Sequence, residues 1–255
     1  QYVKRNIVLN GDDDKLSTVK EYNSMQPVFF GNGENASVTC ENVESRGLKG
    51  MSCDICLKGK MAENGEFQTF HVDIPMPGRH MVSNALAAAA VGRLYGLNAE
   101  QIKNGIESLE PVSGRFNMIE TDKFMIVDDC YNANPVSMKA SLDVLSTALT
   151  RKVAILGDMF ELGTKELLLH REVGTYAAEK KLDLLCCIGK LSKAMADGAS
   201  EFSAQNDTKI CYFETKNDFL NAVSSIIKEH DTILVKASHG MAFEEIVHAL
   251  CHLTF

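Results

Sequence analysis

At 255 residues the chain is long for one compact domain and comfortable for two. Its net charge of −8 argues against nucleic acid as the main partner, because phosphate-backbone binding needs a basic face. Apolar residues make up 45% and charged ones 24%, an ordinary globular balance, and no run approaches eighteen apolar residues, so no transmembrane helix is expected.

Residues 1–4 (QYVK) show neither an initiator Met nor a signal-peptide apolar region, and the start reads as an interior cut of a longer chain. The eight cysteines follow no secreted framework and several sit in apolar runs, a usage that fits a reducing cytoplasm, the expected location. Cys53 and Cys56 form a CxxC, but no second pair accompanies it. They read as strand residues on opposite faces, and no metal site is expected.

The apolar run at residues 6–9 predicts a buried strand leading into Asn10-Gly11-Asp12-Asp13-Asp14. A helix over 15–22 should follow, capped by Asp14. From 28 to 74 the pattern changes to short extended runs at 28–30, 37–40, 50–57 and 67–74, broken by Gly and Asn turns. This reads as an antiparallel region beside an α/β domain. After Pro75-Met76-Pro77-Gly78, an Ala-rich helix carries His80 and Asn84, four apart and so on one face. An Asn there can offer the donor and acceptor that adenine's edge requires, or can serve as a surface amide. A second helix over 99–109 has Asn98 as its N-cap. Residues 110–114 (EPVSG) form the best domain boundary.

From Arg115 onward strands and helices alternate. Strands are predicted at 116–119, 124–127, 153–156, 184–188, 210–213 and 232–235, and helices at 135–149, 165–180, 191–201, 216–230 and 241–250. Regular βα alternation implies a mostly parallel sheet covered on both faces. Residues 127–138 (VDDCYNANPVSM) are the centre of the reading. Asp128 and Asp129 end a strand, and Asn134-Pro135 then opens a helix as N-cap and first-turn proline. Strand carboxyl ends and helix N-termini are where α/β folds bind ligands, and a helix start suits phosphate. Adjacent strand residues alternate, so only one of the two acids should face a ligand, as an exposed group whose removal spares the fold. Arg115 suits phosphate through its paired donors, and Lys236 ends an apolar strand where it can neutralise an acidic ligand. Each can equally be a surface charge. His248 and His252, four apart, lack a carboxylate partner and are not taken as metal ligands. Neither GxGxxG nor GxxxxGK[ST] occurs.

Three stretches, PGRHMVSNALAAAA (77–90), SGRFNMIE through VDDCYNANPVSM (113–138) and LGDMFELG with a following His (156–163, His170), resemble the Mur ligases of peptidoglycan synthesis. LVKASHGMAFEEIV (234–247) is similar to the family's closing strand–helix segment. The YNANP form points to the branch that adds D-alanyl-D-alanine to UDP-N-acetylmuramoyl-tripeptide. The resemblance implies that residues 1–111 are the second half of a central ATPase domain, a mixed sheet with antiparallel strands and helices. Residues 112–255 would then be a C-terminal Rossmann-like domain. It implies an ATP-driven ligase that works through an acyl phosphate, with Asn84 and His80 at the adenine, and Arg115 on the phosphates as the catalytic cation. Asp129 would take the ribose, Tyr131, Asn132 and Asn134 would surround the nucleotide, and Lys236 and Ser238 would bind substrate. The family's P-loop, Mg²⁺ ligands and carbamylated lysine are expected before Gln1, so the chain alone should be inactive, and a monomer is expected. Relatives usually carry Arg where this chain has His239, which puts a substrate role there in question. The alternatives are a Mur-like ligase with another amino acceptor and a non-catalytic nucleotide-binding module.

Overall fold

The computed structural model describes residues 5–203 and 207–254; the opening QYVK segment lies outside them. The chain divides between Glu110 and Pro111 into two compact units.

The first unit is a five-stranded sheet in the order β1 (Val8–Asn10), β2 (Val28–Phe30), β3 (Val38–Ser45), β4 (Met51–Lys58) and β5 (Phe67–Ile74). The antiparallel reading holds for β3–β4–β5 only, because β1, β2 and β3 run parallel. Helix α1 (Arg79–Leu94) packs across the sheet, and α2 (Ala99–Glu107) packs on α1 and β5. Alanines at 85, 89 and 90 give α1 a smooth buried face that lets helix and sheet approach. Asn98 and Gln101 form a reciprocal capping box at the start of α2, at 2.9 and 3.0 Å. The predicted helix at 15–22 is a single 3-10 turn, Leu16–Thr18. Its sequence, KLSTVKEY, has two β-branched residues and no apolar stripe, so nothing rewards a longer helix. Asp13, not Asp14, caps that turn, its Oδ1 accepting from the amides of Lys15 and Leu16.

The second unit holds a six-stranded sheet ordered β10–β9–β8–β11–β7–β6. The strands are β6 (Asn117–Glu120), β7 (Met125–Asp128), β8 (Arg151–Gly157), β9 (Leu184–Ile188), β10 (Lys209–Phe213) and β11 (Asp231–Lys236). Five are parallel, and β6 alone runs antiparallel, against β7. Strand side chains alternate between two cores. Ile126, Ile155, Cys186, Ile233 and Val235 face one side with Phe219 and Val223 of α6 (Lys216–Ile226) and Phe243, Ile246 and Leu250 of α7 (Glu244–Cys251). Val127, Leu156, Leu185 and Leu234 face the other, covered by α3 (Pro135–Ser146), α4 (Glu166–Glu179) and α5 (Ser192–Ser203). Helix α7 starts three residues later than predicted, after a 3-10 turn at His239–Met241 and a left-handed Ala242 (φ 50°). Helix α6 stops at Ile226, where Ile227 turns extended and buries its side chain. Among the described residues no helix is long and apolar enough to cross a membrane.

Helices α4 and α5 touch backbone to backbone. A Cβ on Gly174 would strike the Met195 carbonyl, and one on Gly198 would strike that of Arg171. Gly174→Ala should therefore force the helices apart and destabilise the second unit by about 1–3 kcal/mol. Chemical denaturation of the purified protein measures this. Gly105→Ala, which meets open space on α2, is the control and should not destabilise.

Candidate functional site at the carboxyl edge of the parallel sheet

The helices that follow β7 and β11 leave to opposite faces of the sheet, since α3 packs with α4, which in turn packs on α5, while α7 packs with α6. Neighbouring strands that part in this way open a crevice at their carboxyl ends. The residues at this one are Asp128 and Asp129 at the end of β7, and Lys236 to His239 at the end of β11.

Both aspartates hold the turn before β6. Asp128 is buried, and its Oδ2 accepts from the Gly114 amide at 2.9 Å, while its Oδ1 accepts from the Cys130 thiol at 2.9 Å. Burial first, and then that hydrogen bond to Asp128, push the Cys130 thiol up, so it stays a protonated donor. Asp129 Oδ1 accepts from the Phe116 amide at 3.2 Å. Arg115 lies between the two anchored amides. Phe116 adopts a left-handed backbone (φ 54°), uncommon for so bulky a residue, and is held there by burial of its ring and by Asp129.

The acids diverge as adjacent residues should, Asp128 towards Cys130 and Asp129 towards Ser141 and Lys236. Asp129 is not, however, the exposed acid that the sequence suggests. Its Oδ2 lies 2.6 Å from Lys236 Nζ and 2.7 Å from Ser141 Oγ, and its side chain is only 15% exposed. Lys236 is more deeply placed, at 3%. Its ammonium donates to Asp129 Oδ2, to the Asn132 carbonyl at 2.9 Å and to the Asp129 carbonyl at 3.4 Å, which uses all three of its protons. Lys236 is thus turned inward, and the direct contact with an acidic ligand expected from its place at a strand end does not fit this geometry. Ser238 is buried too. Its Oγ accepts from the Phe160 amide at 2.8 Å, and its own amide donates to the Asp158 carbonyl.

The LGDMFELG stretch is organised from the same edge. Asp158 Oδ1 accepts from the amide and hydroxyl of Ser192, both at 2.7 Å. His170, fully buried, accepts from the Met159 amide at Nε2 (2.9 Å) and donates from Nδ1 to the Glu166 carbonyl (2.7 Å). Sequence reasoning gave these residues no task; a polar residue directly after a strand-ending Gly was the available signal.

Three side chains stay open at the mouth. The Arg115 guanidinium lies 4.3 Å from the centre of the Tyr131 ring, and the His239 ring centre is 5.5 Å from it. Tyr131 is 49% exposed. Asn132 is exposed, its Oδ1 accepting from the Ala133 amide at 2.8 Å. Asn134 caps α3, accepting from the Ser137 amide at 2.8 Å, an arrangement worth about 1 kcal/mol. His239, whose substrate role the sequence leaves in question, is the third member of this stack.

His80 and Asn84 lie in the first unit, exposed on the first turns of α1. Asn84 stands at an apolar groove of about 400 Å³ between α1 and α2, lined also by Met81, Gly92, Leu97 and Ile102. Its Nδ2 is 3.5 Å from Met81 Sδ. Cys53 and Cys56 are free, buried thiols of β4, and the described residues include no cluster of three or more metal-ligating side chains.

Residues 114–239 match the model of the Mur ligase, glutamate ligase domain, and the chain belongs to the Mur ligase family. Within it, the chain is similar to the UDP-N-acetylmuramoyl-tripeptide–D-alanyl-D-alanine ligases. It is 37% identical to that of Bacillus subtilis (strain 168) over 177 residues, 68% of this chain and 38% of the relative. It is 38% identical to that of Escherichia coli (strain K12) over 180 residues, 69% and 38%. The crystal structure of MurF from Acinetobacter baumannii superposes with a TM-score of 0.81 at 28% identity, covering 96% of this chain and 52% of that one. The fold is also that of the Thermotoga maritima MurF ligase solved with ADP, at a TM-score of 0.73 and 22% identity. The matched segment spans under two-fifths of these curated relatives and about half of the solved ones.

Removing Asp129 should leave the buried Lys236 cation without its counter-charge. Asp129→Ala should cost about 3–5 kcal/mol and lower the melting temperature clearly. The double variant Asp129→Ala/Lys236→Met should recover much of that loss. Thermal unfolding of both variants checks the coupling, and equal, additive losses would show the pair to be incidental.

Proposed function

We propose that the chain is part of an ATP-dependent amide ligase that joins D-alanyl-D-alanine to UDP-N-acetylmuramoyl-tripeptide in the cytoplasm. Residues 1–111 would be the second half of its central ATPase domain and 112–255 its C-terminal domain. One observation carries the reading: the exposed Arg115–Tyr131–His239 stack stands at the crevice of a chain 37% identical to such a ligase. In the reaction a substrate carboxylate attacks the γ-phosphorus of ATP, giving an acyl phosphate and ADP. The amine of the dipeptide then attacks the acyl carbon, and phosphate leaves.

An exposed guanidinium held on a rigid turn fits a phosphorylated ligand, because its fork can make paired hydrogen bonds to phosphate oxygens. Arg115 is the proposed catalytic cation, offsetting charge on the transferring phosphoryl group. Tyr131 positions it through the ring face, and Asn132 contributes the free amide NH₂ of its side chain. Asn134 contributes the N-terminus of α3, which it caps. His80 and Asn84 serve the adenine, with the apolar groove beside Asn84 suited to a flat ring. Asp129 already accepts three hydrogen bonds, so it offers at most one further acceptor site to a ribose hydroxyl. We assign Lys236 and Ser238 as positioning residues that fix the crevice from within. Mg²⁺ would supply charge neutralisation at the phosphates, through ligands expected in the half that precedes this segment.

Joined to that half, the segment should support phosphate release that requires both D-alanyl-D-alanine and the UDP-linked tripeptide. Alone it should stay at background. Turnover with a different amino acceptor, and none with D-alanyl-D-alanine, would overturn the assignment. In the complete ligase, Arg115→Ala should lower kcat at least about 100-fold, with Arg115→Lys intermediate, because Lys keeps the charge but loses the fork. Steady-state kinetics with saturating ATP reads this directly.

A further inference from the structure

The edge of the second sheet carries a pair of thiols that the ligase reading does not use. Cys186 on β9 and Cys211 on β10 are direct partners in the parallel register. Both are free, and both side chains lie on the side covered by α6 and α7. Cys186 is fully buried. Cys211 is half-buried on the outermost strand, where an oxidant can reach it. Paired residues on adjacent strands stand about 4.7–4.9 Å apart, inside the roughly 4.4–6.8 Å that a disulfide spans. We infer that Cys211 is a peroxide-reactive modification site, with Cys186 as the resolving thiol that closes a disulfide between β9 and β10.

The surroundings of the two sulfurs set their roles. The hydrogen bond from Cys186 chiefly, and the Lys209 charge after it, bring the Cys211 thiol down to about 6 against the opposing effect of burial. The same hydrogen bond and its deep burial hold Cys186 up as the proton-bearing member. Burial pushes the thiols of Cys40 and Cys251 up. Cys187, next to Cys186, points into the opposite core and is pushed up by burial. The Cys211 thiolate attacks one oxygen of hydrogen peroxide, the O–O bond breaks, and Cys211 sulfenic acid and hydroxide form. The Cys186 sulfur then attacks the Cys211 sulfur. The S–O bond breaks, and the departing hydroxyl takes the Cys186 proton and leaves as water. The hydroxide from the first step takes up the proton that Cys211 released on ionising, so overall two thiols are oxidised and one peroxide is reduced to two waters.

The test uses the wild-type protein and equimolar hydrogen peroxide, followed by alkylation of the remaining thiols, digestion and mass spectrometry. The expected product is a peptide pair joined through Cys186 and Cys211, lighter by two hydrogens and separated by dithiothreitol. Before oxidation, Cys211 should be alkylated by iodoacetamide at pH 7 about tenfold faster than Cys251. Cys186→Ser should leave Cys211 as a sulfenic acid trapped by dimedone, and Cys211→Ser should leave Cys186 reduced. The inference is overturned if Cys211 oxidises no faster than Cys251. It is equally overturned if wild-type Cys211 is recovered oxidised while Cys186 still carries the alkyl label.

Discussion

The carboxyl edge of the second unit depends on an ion pair that water barely reaches. Burying an ammonium and a carboxylate costs several kcal/mol per ion, and their attraction offsets this only where the remaining donors and acceptors are also satisfied. Lys236 and Asp129 meet that condition, because every ammonium proton has an acceptor and both carboxylate oxygens have donors. The pair ties the end of β11 to the loop after β7, and through Asp129 it reaches the turn that presents Arg115. The open side chains at the mouth therefore rest on a backbone with little freedom. Binding groups held this way need less ordering when a ligand arrives.

The parts of the molecule that could be read from sequence are those decided by near neighbours. The apolar runs at 184–188 and 153–156 announce buried parallel strands, because only strands covered on both faces tolerate such continuity. Asn98 and Asn134 announce helix starts, since a cap acts within three residues. Where an apolar stripe was missing, as at 15–22, propensity was a poor guide.

What lay hidden is decided by partners far along the chain. A lysine at the end of a strand looks like a solvated charge. That Lys236 points inward follows from Asp129, 107 residues earlier, and from a strand order that no local pattern encodes. The same holds for His239, whose place beside Tyr131 depends on β11 lying next to β7. The identity of the acids at 128 and 129 was plain, but their division of work was not, since both bind a turn that precedes them.

That strand order has a further consequence. β11 is the last of the described strands in sequence, yet it lies at the centre of the sheet, between β8 and β7. As the chain leaves the ribosome, β6 and β7 can form a hairpin and β8, β9 and β10 can associate, but the two groups share no edge until residues 231–236 emerge. During that interval β7 and β8 each expose an unpaired apolar edge, the kind that invites pairing with another molecule. The strand that ends this exposure also delivers Lys236. Completion of the sheet and assembly of its ligand-facing edge are thus one event, which waits for residues 231–236.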